Sequence, residues 1–134
     1  ELGLDIDVYF SDDAEEAFTK LKNSLKVSLY KPEILKIHNI EAKGDSDFRK
    51  YFTEYSMQNK GLIEKMREEA QVIPDDIARS SIAVGKPDDA IPIFERFIKA
   101  GVKHFVIRFW GRGYHKNIEL FGNEVLPYFK DYKE

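Results

Sequence analysis

The chain has 134 residues, 21 of them basic and 24 acidic, and this balance argues against a nucleic-acid-binding face, which normally carries a clear basic excess. The absence of cysteine excludes a disulfide framework, a thiolate metal site and a cysteine nucleophile. No apolar run approaches the roughly 20 residues of a membrane span and no signal peptide is visible, so we expect a cytoplasmic protein with neither nucleic-acid nor membrane partners.

The first predicted elements are a strand and an amphipathic helix. Leu4–Phe10 alternates at its start and then becomes continuously apolar, which is typical of a short strand. Ser11 and Asp12 are N-cap candidates for the helix, and Asp12 with Glu15 has the spacing of a capping box. Apolar residues then recur at helical spacing: Ala14, Ala17, Phe18, Leu21 and Leu25.

A segment without a convincing strand follows, and we predict that it is a helical insertion. Pro32 ends or restarts the preceding helix, and Gly61 interrupts a later helical pattern. The segment carries an aromatic stripe that packs helices in the simpler interpretation and shapes a substrate channel in the alternative one: Phe48, Tyr51, Phe52 and Tyr55.

The next strand and helix have clear boundaries. Ser81–Val84 is a small buried-strand candidate that ends at Gly85, and Pro87 begins a helix with acidic residues in its first turn. Gly101 stands where a glycine commonly ends a helix. Pro92 fits poorly, because a proline inside a helix removes a backbone hydrogen bond.

The strongest strand pattern is Val102–Phe109, which is nearly continuous in apolar residues, as expected of a strand buried on both faces of a parallel sheet. A charged and aromatic loop follows from Trp110 to Lys116. The last predicted helix begins near Asn117, and Pro127 bends or shortens it.

This alternation of strands and helices predicts an α/β protein with parallel β/α units. We expect a single unit over residues 1–134 with four parts: a first β/α unit at 1–31, the helical insertion at 32–72, a second β/α unit at 73–101 and a third at 102–134.

Two segments carry a family resemblance: Ile73–Phe109 (IPDDIARSSIAVGKPDDAIPIFERFIKAGVKHFVIRF) and Asn117–Phe129 (NIELFGNEVLPYF). The first combines a strand ending in glycine, a Pro-acidic helix start, a helix ending Ala-Gly and an apolar strand. The second combines a Phe-Gly pair with Glu-Val-Leu-Pro. Together they resemble the end of luciferase-like monooxygenases and their deazaflavin-dependent relatives, over about the last 60 residues.

The resemblance implies a partial (β/α)8 barrel whose three parallel strands are the sixth, seventh and eighth. Because a whole barrel takes about 250 residues, the chain would be the C-terminal part of a larger oxidoreductase. That parent protein would use FMN or the deazaflavin coenzyme F-420 on a small-molecule substrate. Its partner for barrel closure would be the remaining N-terminal part or a second copy of the chain. We expect the isolated chain to be inactive and to bind neither cofactor tightly.

Barrel active sites lie in the loops that follow the strands, which makes two loops candidates for the cofactor or substrate site. Gly85 would let the backbone approach a phosphate and Lys86 would supply charge, or the pair is simply a tight turn with a solvated lysine. The longer loop would meet an anionic group through Arg112, His115 and Lys116, or it is simply a surface loop rich in charge. The other candidates are Gly113 for flexibility, Trp110 as a wall for a ring, and Arg108 pointing into the barrel.

No catalytic residue is assigned from the sequence. Asp5 and Asp7 share one strand face, where a solvated surface is the simpler interpretation and acid–base work the alternative. His104 is expected to be packed or hydrogen-bonded, and the histidines lack metal-ligand spacing. A different class of function also stays open: a stand-alone α/β protein that self-assembles or binds a partner without redox activity.

Overall fold

A computed structural model describes residues 1–44 and 60–132. The chain divides into two compact units, one formed by residues 1–18 with 80–134 and the other by residues 19–79. The predicted aromatic stripe lies outside the described residues: Phe48, Tyr51, Phe52 and Tyr55.

Strands and helices alternate along the chain, as the pattern predicts. The strands are β1 (Gly3–Phe10), β2 (Ile82–Gly85) and β3 (His104–Phe109). The helices are α1 (Ala14–Leu29), α2 (Pro32–Ile37), α3 (Lys60–Glu69), α4 (Asp75–Arg79), α5 (Pro87–Lys99), α6 (Tyr114–Leu120) and α7 (Leu126–Lys130). A 3₁₀ turn, Ala70–Val72, follows α3, and a π-helical turn, Phe121–Val125, joins α6 to α7. None of the helices in the described ranges has the length and apolar character that a membrane crossing requires.

The three strands form one parallel sheet in the order β2-β1-β3, which confirms the α/β class and the parallel pairing. On one side Val8 of β1 is in register with Ala83 of β2. On the other side Val8 is in register with Phe109 of β3. The carboxyl ends of all three strands therefore meet at one edge of the sheet.

The strand order differs from that of consecutive barrel strands. In a (β/α)8 barrel each strand pairs with the next one along the chain, so a sixth, seventh and eighth strand would run β1-β2-β3. Here β1 lies between the other two, because the connection from β2 to β3 crosses from one side of β1 to the other. The predicted barrel order is therefore wrong for this sheet. The observed order is that of a doubly wound α/β sheet whose connections reverse direction.

The core of the first unit lies on one face of the sheet, beneath α5 and the C-terminal helices. Alternate side chains of β1 point into it, as the period of a strand requires. Phe94 of α5 contacts three other rings, with centroid distances of 5.1 Å to Phe105, 5.4 Å to Phe121 and 6.2 Å to Phe129. The buried members of this core are Ile6, Val8, Phe10, Ala83, Ala90, Phe94, Phe121 and Val125.

β3 is an edge strand with one exposed face, which corrects the expectation that it is buried on both faces. Its exposure alternates along the strand, and Val106 is 53% exposed. Phe105, Ile107 and Phe109 pack against the core from the other face. An apolar run is thus compatible with an edge position, because β-branched residues such as Val106 favour strands whether or not they are buried.

The helix boundaries depend on caps close to those predicted. Asp13, rather than Ser11 or Asp12, caps α1, because its Oδ1 accepts the Glu16 N–H at 2.9 Å. Gly101 ends α5 with a φ of 96°, as predicted. Pro127 lacks the N–H that a regular helix would donate to Asn123, and the chain widens into the π-helical turn just before it.

The described elements of the second unit are helical. Its core groups four buried residues: Tyr30, Leu35, Ala70 and Ile73. Lys26 is buried, and its Nζ lies 2.6 Å from Oδ1 of Asp75 at the start of α4. This ion pair holds the pKa of the Asp75 carboxyl below its usual 3.8, chiefly through the hydrogen bond from Lys26.

Candidate functional site

A cleft of about 220 Å³ opens at the carboxyl edge of the sheet in the first unit. It is lined by residues at or shortly after the end of each of the three strands, and by residues of α6. In doubly wound sheets ligands bind at this edge, where the connections reverse direction. The lining residues that matter most for its chemistry are Asp12, Gly85, Lys86, Arg112, Lys116 and Asn117.

The turn after β2 is built around Gly85. Its φ of 118° lies in a region that favours glycine, and a Cβ there would stand 2.5 Å from Oδ2 of Asp89. That same Oδ2 accepts the Lys86 N–H at 2.8 Å, and the Gly85 carbonyl accepts the Ser11 N–H at 2.9 Å. The close packing of the Asp89 carboxylate is therefore the reason that position 85 needs glycine.

The loop after β3 brings Arg112 into the cleft between two glycines. Gly113 has a φ of 75° and precedes the first residue of α6. Its carbonyl accepts the Lys116 N–H at 2.8 Å, which closes the first turn of that helix. Asn117 is buried and donates from Nδ2 to the Trp110 carbonyl at 2.7 Å, so the helix and the loop are joined at the cleft wall.

The cleft concentrates positive charge from three side chains, Lys86, Arg112 and Lys116. Within residues 1–44 and 60–132, no Asp or Glu lies within ion-pair distance of Lys86, Arg112 or Lys116. Among the described residues that line the cleft, Asp12 is the one acidic residue. The α5 N-terminus adds little attraction for an anion, because two acidic residues already occupy its first turn. The three cationic side chains therefore give the cleft a net positive charge.

Two predicted site residues lie elsewhere. Arg108 and Trp110 point to the sheet face opposite the core and bind the carboxylate of buried Asp7. Arg108 donates from Nε at 2.8 Å and from Nη2 at 3.1 Å, and Trp110 donates from Nε1 at 2.7 Å. Because both Asp7 oxygens are already hydrogen-bonded, the structure favours a structural role over acid–base work for this residue.

The histidine candidates lie outside the cleft lining. His115 is exposed at the start of α6, and its ring lies 4.0 Å from that of Tyr114, centroid to centroid. His104, expected to be packed or hydrogen-bonded, is exposed at the start of β3. In the described part of the chain, no group of three or more His, Asp or Glu side chains is arranged to hold a metal ion.

The structure thus brings five of the eight candidate residues together: Gly85, Lys86, Arg112, Gly113 and Lys116. It adds Asp12 and Asn117 to the lining. Asn117 is the residue that sequence reasoning missed, since it resembles an ordinary first-turn helix residue until its burial is known. The sequence shows an amide side chain seven residues after Trp110, but this spacing alone does not reveal that the amide is buried and bonded to the Trp110 carbonyl.

The chain matches no protein-family model, no curated protein and no solved structure.

Proposed function

We propose that this chain binds a small anionic ligand, bearing a phosphate or carboxylate group, in the cleft at the carboxyl edge of its sheet. The observation that supports the proposal is the convergence of three cationic side chains without a carboxylate partner in the described residues: Lys86, Arg112 and Lys116. Lysines and arginines that are merely solvated would be spread over the surface rather than gathered around one concavity. An arginine fork in addition matches the two oxygens of a carboxylate or phosphate.

The size of the cleft limits what it can enclose. Its volume of about 220 Å³ falls below the roughly 300–1,000 Å³ of sites that bury whole drug-sized ligands. A phosphate or a short carboxylic acid fits in it, whereas a fused ring system would extend outside. We therefore propose that the cleft recognises the anionic end of its ligand.

FMN and coenzyme F-420, the cofactors implied by the family resemblance, both carry a phosphate group. If the parent protein is a flavin- or deazaflavin-dependent oxidoreductase, we propose that this cleft holds that phosphate while other parts of the protein hold the ring. The redox chemistry itself belongs to the cofactor, and this proposal depends on the resemblance. Weak binding by the isolated chain is expected, because only one end of such a cofactor is enclosed.

The first test is a titration with inorganic phosphate, followed by amide chemical shifts in nuclear magnetic resonance (NMR). We expect saturable shifts at Gly85, Lys86, Gly113 and Asn117. Arg112→Gln and Lys116→Gln should each weaken binding by about three- to tenfold, the loss expected for one charge-assisted contact at a solvent-accessible site.

Lys99→Gln is the matched control for these variants. It removes the same charge at the other end of α5, about 18 Å from the start of that helix. Phosphate shifts that do not saturate, or a Lys99→Gln effect as large as that of Arg112→Gln, would contradict the proposal. Binding should also weaken as salt is raised, because the cationic groups are exposed to solvent.

A second titration compares FMN with riboflavin, which has the same ring without the phosphate. If the cleft recognises the phosphate, FMN binds more tightly than riboflavin in the wild type, and the difference disappears in Arg112→Gln. Equal affinity for the two flavins would exclude phosphate recognition. Micromolar or tighter binding of FMN would overturn the expectation that the isolated chain binds the cofactor weakly.

A further inference from the structure

Trp110 is held at three points where the chain leaves β3. Its indole Nε1 donates to Oδ1 of Asp7 at 2.7 Å. Its backbone N–H donates to the Val8 carbonyl at 2.9 Å, and its own carbonyl accepts the Asn117 amide at 2.7 Å. Both the side chain and the backbone of this residue are thus fixed, although 37% of its surface is exposed.

This anchored residue is separated from the cleft arginine by a single glycine. Gly111 has a φ of 100°, and a Cβ on it would stand 2.5 Å from Cε2 of Tyr9, so its backbone lies against that ring. Arg112 comes next, and Gly113 immediately precedes the first residue of α6. The two glycines give Arg112 backbone freedom, which means that its position depends on how firmly the loop is held at each end.

We propose that Asp7 is a positioning residue of the anion cleft, which acts through Trp110. Its carboxylate holds the indole on the sheet face opposite the core, and this contact fixes the end of the loop from which Arg112 reaches the ligand. The inference rests on the proposed function, because it assigns a role in binding to a residue that lies outside the cleft. Arg108, the other partner of Asp7, neutralises the carboxylate and keeps it in place.

The alternative is that Asp7 only stabilises the sheet. The two roles differ in how removal of the carboxylate affects the affinity for the ligand. A purely stabilising group lowers the free energy of unfolding without changing the affinity of the folded protein. A positioning group changes the affinity, because a loop that must be ordered on binding loses part of the binding free energy. The effect should also require Arg112.

The test uses Asp7→Leu, which removes the acceptor and leaves no polar group in the side chain of residue 7, and Asp5→Leu as its matched control. Asp5 lies on the same strand face and contacts Arg108 at 3.4 Å, with no hydrogen bond to Trp110 in the described residues. We expect Asp7→Leu to weaken inorganic phosphate binding by about three- to tenfold and Asp5→Leu to leave it unchanged. In an Arg112→Gln background, Asp7→Leu should have no further effect.

A spectroscopic readout follows the anchor itself. The chain has one tryptophan, so its indole N–H gives a single NMR resonance. This resonance should move in Asp7→Leu, stay in place in Asp5→Leu, and shift during the wild-type phosphate titration with the same midpoint as the cleft amides. Trp110→Phe provides a second variant, which removes the donor while it keeps the Asp7–Arg108 pair, and it should weaken phosphate binding to a similar extent.

The outcomes separate the two proposals. If the wild type does not bind phosphate, the proposed function fails, and the positioning role fails with it. If the wild type binds and both Asp7→Leu and Trp110→Phe bind equally well, only the positioning role is overturned. It is also overturned if Asp7→Leu weakens binding as much in the Arg112→Gln background as in the wild type. Should Asp7→Leu fail to fold, Trp110→Phe decides the question by the same criteria.

Discussion

From the contact between Asp7 and Arg108 we expect that a second substitution restores most of the stability that the first one removes. Arg108→Met takes away two of the three donors of a carboxylate whose side chain is 7% exposed. Asp7→Leu/Arg108→Met then removes the carboxylate as well. Breaking a buried pair by removing one partner is strongly destabilising, whereas replacing the whole pair by apolar side chains is often close to neutral.

The expected loss of stability follows from how exposed the Asp7 and Arg108 side chains are. Loss of one partner of a buried pair costs about 3–5 kcal/mol, and the lower end applies here because Trp110 still donates to Asp7 and the arginine lies at the surface. We therefore expect Arg108→Met to lower the free energy of unfolding by about 3 kcal/mol. The double variant should lie within about 1 kcal/mol of the wild type. At this chain length the restored 2 kcal/mol corresponds to roughly 6–10 °C in Tm.

The assay is urea denaturation followed by far-ultraviolet circular dichroism, since both substitutions change the surroundings of the tryptophan and make its emission a poor probe. Wild type, both single variants and the double variant complete the cycle. If the double variant is less stable than Arg108→Met, the losses add, and the argument that a buried unpaired carboxylate dominates the cost is refuted.

Two further predictions concern other parts of the chain. Asp75→Asn should destabilise the protein more than Lys26→Met, because it leaves the buried Lys26 amine without its carboxylate; urea denaturation of the two variants compares them. Since the ion pair lowers the folded-state pKa of Asp75, its stabilisation is complete above the unfolded value of 3.8 and is lost as pH falls through the lower folded value. Acid titrations of stability should therefore be flatter below about pH 4 in Asp75→Asn, and an unchanged profile would contradict the pair's role. Gly85→Ala should cost about 1–3 kcal/mol, because it combines a φ of 118° with a clash against the Asp89 carboxylate. The double variant Gly85→Ala/Asp89→Ala lacks that carboxylate, and it should recover only the part of the lost stability that the clash causes.

Half of the candidate site could be predicted from local sequence signals. Gly85 and Lys86 stand between a strand and a Pro-acidic helix start, and Arg112, Gly113 and Lys116 were predicted in a glycine-containing loop after the strongest strand. Parallel strands bring such loops to one edge, which is why these residues meet. Arg108 and Trp110 could not be placed in the same way, because the partner that draws them to the opposite face is Asp7, about a hundred residues earlier in the chain.

Hydrophobic periodicity, glycines and prolines determined by themselves where the three strands and the helices α1 and α5 lie, because these signals act over a few neighbouring residues. Tertiary structure alone decided that β1 lies between β2 and β3, that β3 is an edge strand, and that Asn117 is buried beside the cleft. Strand order depends on which long connections cross the sheet. The free-energy differences among those arrangements come from side chains that are distant in the chain and meet only after folding.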